Sequence, residues 1–456
     1  MKNNKNNTIT ISDFLSTEYK DFSIYTIEHR ALPSLVDGFK VVNRKIMNTC
    51  MNNWKTGNEK TLKVFQLSGK TSDSNYYHHG SSSLDNAIIN MAQKFKNNLP
   101  LLEEDGIFGT LRSPYAGAPR YIGTKLSPIF YEIFKDFGLM EYRVEEGVQI
   151  EPKFFLPIIP MLLINGQSGI AVGFSTNILN RNPIDLCKYC LSLLEGKKSR
   201  IKLPPYNKFF KGDFIQDPEN NKRWFIRGSF ERMGRKDMIK ITELPISYTY
   251  EKYENILDEL VEKGKISSYD DLCKGNINYI IKLNKGDGDK LDDQSIIKLL
   301  KLEETTTEIF NVIDENNKLK QFENIEDIIK HFIDFRLGYY QKRKDYQISE
   351  YKRQIQLLKN KTKFILNVIK GNIELRNKPK ETIIKQIDKI EVDKIDGSYN
   401  YLLSIPLYSI TKEYVDKFKK DISDKENEIK ILQKSKIEEI YIEDLKKLIV
   451  YLNKNY

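Results

Sequence analysis

The order of apolar and polar positions divides the chain into stretches of different texture. From Tyr25 to about Ser175 the apolar residues come in short groups broken by Gly, Pro and Ser. Helical spacing is present near residues 39–52 and 84–97, with short strands expected between them. The segment LPIIPMLLINGQSGIAVGF (156–174) is apolar except for its central Asn-Gly-Gln-Ser-Gly group, which predicts a core element ending in a tight turn. Beyond about Ile201, RWFIRGSF (223–230) and MIKITELPI (238–246) read as antiparallel strands. Helical spacing returns at 250–264 and 295–303, on either side of the polar loop NKGDGDKLDD. From Glu323 to Lys378 the pattern is helical with few breaks. Ile348, Tyr351, Ile355, Leu358, Ile365 and Ile369 form an a/d heptad stripe with Thr362 in the skipped slot, and Tyr414, Phe418, Ile422, Ile429 and Leu432 form a second one. Two long helices around a small globular region favour an antiparallel coiled coil with a domain at its tip over a plain helical bundle.

Composition changes this picture in three ways. At 456 residues the chain needs about two to four domains, and 40% hydrophobic content is enough to build their cores. The net charge of +10 permits a polyanionic partner, although Lys-, Asn- and Ile-rich chains carry such a surplus for compositional reasons too. No run approaches the roughly 18 apolar residues of a membrane span, and MKNNKNNTITISDF lacks the apolar stretch of a secretory signal, so a soluble, intracellular protein is expected. Of the four cysteines only Cys187 and Cys190 have metal-type spacing, and with no second pair and no nearby histidine they read as core thiols.

Two motifs fail on inspection. SGKT (68–71) has Val64 where a phosphate-binding loop requires glycine, and DGD (287–289) is followed by Leu291 where a calcium loop requires an oxygen ligand. Others survive. SPYAGAPRYIGTKLSP (113–128) sets Arg120–Tyr121 among small, loop-forming residues. YYHHGSSSL (76–84) contains two of the chain's four histidines before a Ser-rich turn suited to capping a helix. RALPSLVDGFKVVNRKIM (30–47) arrays Arg30, Lys40, Arg44 and Lys45 around a turn and helix, as helix-turn-helix units present cations to phosphates. INGQSGIAVG (164–173) sets Ile170 beside a turn, where an apolar residue is either core or a wedge for a base step. Each has an ordinary structural explanation alone. Together they fit one chemistry: a tyrosine attacking a phosphodiester, with cations neutralising the charge that grows on phosphorus oxygens. A phenol with a pKa near 10 needs a base or metal ion to lose its proton.

The ordered set RALPSLVDGFK, YHHGSSSLDNAIINMAQKF, DGIFGTLRSPYAGAPRYIGTKLS, LPIIPMLLINGQSGIAVGFSTNI and ITELPISY resembles the breakage–reunion part of type IIA DNA topoisomerases, and YLLSIPLYSITKE with DKENEIKIL resembles the gate region of that family. The resemblance runs from about residue 20 to 450. Within the family the chain is most similar to the medium subunits of T-even-type phage enzymes: it has Tyr-His-His-Gly where bacterial gyrase A proteins have Tyr-His-Pro-His-Gly. The resemblance implies an α+β multidomain fold: an N-terminal arm (1–25), a winged-helix DNA-cleavage domain (26–175), a mixed α/β tower (176–325), and a long antiparallel coiled coil with a small gate domain (326–456, tip about 376–412). It implies Tyr121 as nucleophile through a 5′-phosphotyrosine link, with Arg120, Arg30, His79 and His78 as catalytic partners. Lys40, Arg44, Lys45 and Ile170 are implied to bind DNA, with Ile170 as a wedge. The one departure is Val41, where the family commonly has proline. The implied partners are double-stranded DNA, a second copy of the chain, and an ATPase/Toprim subunit that holds ATP and Mg²⁺; no metal is expected on this chain and no membrane is involved. The implied activity is relaxation and decatenation, in the cytoplasm, of the host if the chain is phage-encoded. The rival reading is a non-catalytic DNA-binding architectural protein on the same scaffold, against which the intact Arg120–Tyr121 pair argues.

Overall fold

The computed structural model describes residues 9–54, 60–395 and 397–456. It divides into two compact units, one of residues 1–336 with 444–456 and the other of Leu337–Glu443.

In the first unit, three helices pack on one another: Val41–Asn53, Val64–Ser74 and Ser81–Ala92. Each contributes an apolar stripe. Ile46, Met47 and Cys50 from the first, Val64 and Leu67 from the second, and Leu84, Ile88 and Ala92 from the third are buried. A three-stranded antiparallel sheet lies against them, with Gly123–Leu126 in the centre between Leu62–Lys63 and Leu102–Asp105. A stacked and edge-on aromatic cluster of Phe39, Phe130, Phe134 and Phe155 fills the space beside the first helix. The result is a three-helix unit with a small antiparallel sheet packed on it.

The third helix starts at Ser81, before the expected residue 84, and ends at Ala92. Its N-cap is Gly80, which offers no capping side chain, so Ser81–Ser83 lie in the first turn and do not serve as the cap that the Ser-rich run suggested. The helix stops because Gln93 turns to ψ 111. Its buried amide then donates to the carbonyls of Phe108 and Pro114, holding the next loop. Gly69, Lys70 and Thr71 lie inside helix Val64–Ser74, so SGKT is helix and not a phosphate loop.

The β-rich part contains a four-stranded antiparallel sheet in the order Ser229–Arg232, Met238–Glu243, Tyr279–Lys282, Ser268–Asp271, and a three-stranded sheet centred on Arg223–Arg227. Helix Tyr250–Glu262 packs on the first sheet through Tyr253, Leu257 and Leu260. The expected helix at 295–303 is Asp293–Leu299; Lys301 adopts φ 49 and strand Glu303–Thr307 follows. Buried Arg112 ties this part to the helical one. It donates to Glu243 and to the carbonyls of Leu244, Pro245 and Tyr248.

In the second unit, helix Ile325–Ile369, which begins in the first unit, runs antiparallel to Lys412–Lys434. Lys344 Nζ donates to the carbonyls of Gln433 and Ser435, Lys425 reaches Gln354 at 2.6 Å, and Lys359 pairs with Glu426. Ile355 and Ile429, from the two heptad stripes, are buried. At the far end Phe364, Ile365, Ile373, Ile387, Tyr399, Leu402 and Val415 form a separate small core. Among the described helices none is long and apolar enough to cross a membrane.

Candidate functional site

Tyr121 sits on a turn just before the central strand Gly123–Leu126. The turn is clamped on both sides. The first two amides of helix Val64–Ser74 donate to the carbonyls of Ile122 and Pro119, and Lys63 Nζ donates to the carbonyl of Tyr121 itself at 2.7 Å. A helix leaves its first N–H groups without internal partners, and here the tyrosine turn supplies them. The loop before it is folded tightly at Gly109, which has φ +84 and where a Cβ would meet Pro114 backbone at 2.8 Å. With its backbone held, the Tyr121 side chain projects outward and is 72% exposed. The Arg120 guanidinium lies 6.0 Å from the centre of its ring. The phenol is thus fixed at its base, makes no hydrogen bond through its oxygen among the described residues, and has a permanent positive charge beside it.

Arg30 and His79 form a second cluster at the other end of helix Val64–Ser74. Eleven residues of helix put about 15 Å between the tyrosine turn and the histidine turn. Arg30 Nη2 lies 3.5 Å from His79 Nδ1, and Tyr25 Oη lies 2.9 Å from His79 Nε2. Burial, the Arg30 charge and His78 all lower the pKa of His79, which keeps the ring neutral near pH 7. His78 instead turns to Glu145, at 3.1 Å. These residues line a cleft of about 670 Å³ whose walls also include Arg143 and Lys45.

The cations of residues 40–45 each have an internal partner. Arg44 is 6% exposed and pairs with the fully buried Asp37 at 2.8 Å; it also donates to the Phe39 carbonyl. Asp37 draws it inward, so it serves as an internal brace. Lys45 is 8% exposed and is held at the cleft wall by Glu151 at 2.9 Å and by the Asn75 carbonyl. Lys40 is half-buried, its pKa lowered by burial, and its Nζ donates to the Ser168 carbonyl at 2.8 Å. That bond anchors the hairpin of Gln167–Ile170 and Ser175–Ile178. The hairpin comes so close that a Cβ on Gly169 would stand 2.1 Å from the Ala31 carbonyl. Ile170, at the hairpin end, is 88% exposed.

Tyr25, Lys63 and Arg143 also belong to these surfaces, and the sequence motifs did not single them out. Lys63 and Arg143 sit in ordinary charged stretches, and their positions follow from pairing distant in the chain. Among the described residues no group of three or more His, Cys, Asp or Glu could hold a metal ion, and the surroundings of Tyr121 are cationic.

The family of DNA gyrase/topoisomerase IV A-subunits matches residues 30–447. The chain is 31% identical to the DNA topoisomerase medium subunit of Enterobacteria phage T4, across 97% of this chain and 99% of that protein. It is 32% identical to the mitochondrial DNA topoisomerase 2 of Dictyostelium discoideum, across 98% of this chain but 35% of that protein, so it spans about a third of the length of such relatives. A solved structure of the Plasmodium falciparum topoisomerase II DNA-binding, cleavage and re-ligation domain superposes with a TM-score of 0.87 at 31% identity, covering 97% of this chain and 65% of that one.

Proposed function

The chain belongs to the family of DNA gyrase/topoisomerase IV A-subunits, and from that premise we propose that it is the DNA-cleaving and religating subunit of a type II DNA topoisomerase. The observation that carries this reading is Tyr121, an outward-facing phenol on a clamped turn with Arg120 beside it.

In this reading Tyr121 Oη attacks a backbone phosphorus as its proton leaves. The new O–P bond forms as the P–O3′ bond breaks, O3′ departs and takes up a proton, and the 5′ end stays on the tyrosine. One phosphate ester replaces another, so the 3′ hydroxyl reverses the step without an external energy source. Arg120 stabilises charge developing on the non-bridging oxygens. Arg30 and His78 engage the backbone about 15 Å away along helix Val64–Ser74, and His79 supports that cluster from beside Arg30. Ile170 enters a base step and bends the duplex, on a hairpin that Lys40 holds in place. Lys45 contributes from the cleft wall. Two copies about a two-fold axis supply two Tyr121 residues, one to each strand.

The Mg²⁺ and ATP used by type II enzymes are assigned to an ATPase/Toprim partner polypeptide. The name of the phage relative, a medium subunit, supports such a division. The activity is relaxation and decatenation in the cytoplasm, of the host if the chain is phage-encoded. The residue pattern does not favour the architectural alternative, which has no use for an exposed tyrosine–arginine pair.

The test is Tyr121→Phe in the complex of this chain with its ATPase/Toprim partner, supplied with supercoiled plasmid, Mg²⁺ and ATP. The variant should lose relaxation while binding duplex within about twofold of wild type, as expected for an exposed substitution. Retained relaxation contradicts the reading.

A further inference from the structure

The hydrogen bonds around His79 determine where its proton is. Arginine has five N–H donors and no acceptor, so Nδ1, which faces Arg30 at 3.5 Å, must carry the lone pair. A neutral imidazole then has its single proton on Nε2. That proton points at Tyr25 Oη, 2.9 Å away. Tyr25 therefore accepts from His79, and its own O–H is left over. Among the described residues this hydroxyl has no acceptor of its own. The Tyr25 ring is stacked on His29 at 4.9 Å and 20°, and the Arg30 guanidinium lies over it at 5.3 Å. Its ring is fixed and its donor opens onto the cleft that Arg30 and Arg143 also line. The two carboxylates in that cleft, Glu145 and Glu151, are already paired with His78 and Lys45.

We propose that Tyr25 is a further DNA-contacting residue: its hydroxyl accepts from His79 Nε2–H and donates to a non-bridging oxygen of a backbone phosphate held by Arg30. His79 is then the positioning residue that aligns this donor, with both of its ring nitrogens already engaged. The inference rests on reading this cleft as a DNA-backbone site. The low pKa of His79, set by burial and by Arg30, agrees with the single ring proton the arrangement requires.

The experiment uses the complete complex and duplexes carrying a single neutral methylphosphonate at successive backbone positions. Wild type is measured first; if it forms no covalent Tyr121 adduct on unmodified DNA, the proposed function fails whatever Tyr25 does. Tyr25→Phe keeps the stacked ring and removes only the hydroxyl. On unmodified duplex it should weaken binding by about tenfold, the scale of one hydrogen bond to a charged group. At one backbone position the penalty for methylphosphonate should shrink by about fivefold in Tyr25→Phe relative to wild type, because the two changes remove the same contact. Equal penalties at every position, or unchanged binding, overturn the proposal while leaving the function intact. Independently, ¹⁵N spectra of the four histidines in the wild-type chain should show His79 protonated at Nε2 and bare at Nδ1; the opposite tautomer overturns it as well.

Discussion

Arg44 and Ile170 reverse the usual relation between residue type and exposure, and each reversal has a physical cause. Arg44 is inside because Asp37 is inside. That carboxylate also accepts from the amides of Phe39 and Phe155, so it organises the turn ahead of helix Val41–Asn53. Burial pushes the Asp37 pKa up and Arg44 opposes the shift. Arg44→Ala would leave a buried charge without its partner and should cost about 3–5 kcal/mol, read from urea unfolding. A loss confined to DNA affinity, with unchanged stability, would restore Arg44 to the DNA surface. Ile170 is outside, with most of its apolar surface open to water. Ile170→Ala should change stability by no more than about 0.5 kcal/mol yet reduce the bend of a bound duplex, measured by energy transfer between its ends. At this scale the residue types needed for phosphate chemistry were legible in the sequence, because arginine, tyrosine and histidine in glycine-rich turns are unusual company. Burial was not: nothing local to KVVNRK says that a carboxylate seven residues back will draw Arg44 inward.

Elements were legible where periodicity is strong. The two heptad stripes anticipate the antiparallel pair Ile325–Ile369 and Lys412–Lys434, since a seven-residue apolar repeat buries only against another helix. At the tip, Ile365 is fully buried among Phe364, Ile387 and Leu402. Ile365→Ala should destabilise this second unit by about 2–5 kcal/mol, seen as earlier proteolysis within Leu337–Glu443, with duplex binding preserved. Loss of duplex binding would contradict that assignment. Helix Val64–Ser74 was not anticipated, although it supports both clusters. Its buried stripe has only Val64 and Leu67 as apolar members, beside Ser68 and Thr71, and gives a weak signal. Its role comes from the two amides it lends to the tyrosine turn, bonds between residues more than fifty apart in the chain. Likewise the brace between Lys45 and Glu151 joins positions 106 apart.

For the whole molecule, the order of motifs carried more than any one of them, because each turn is ordinary alone and their sequence is not. The fold places the tyrosine turn and the Arg30–His79 cleft at opposite ends of one helix, with the Ile170 hairpin anchored by Lys40. That arrangement is suited to gripping a stretch of duplex and cutting it at one phosphate. The most direct test of this central claim is to trap cleaved DNA with the complete complex in denaturing detergent and identify the residue joined to it by mass spectrometry of the DNA-linked peptide. The expected result is a 5′-phosphate ester on Tyr121 in wild type and no adduct in Tyr121→Phe. An adduct on any of the other tyrosines, or one that persists in Tyr121→Phe, would contradict it.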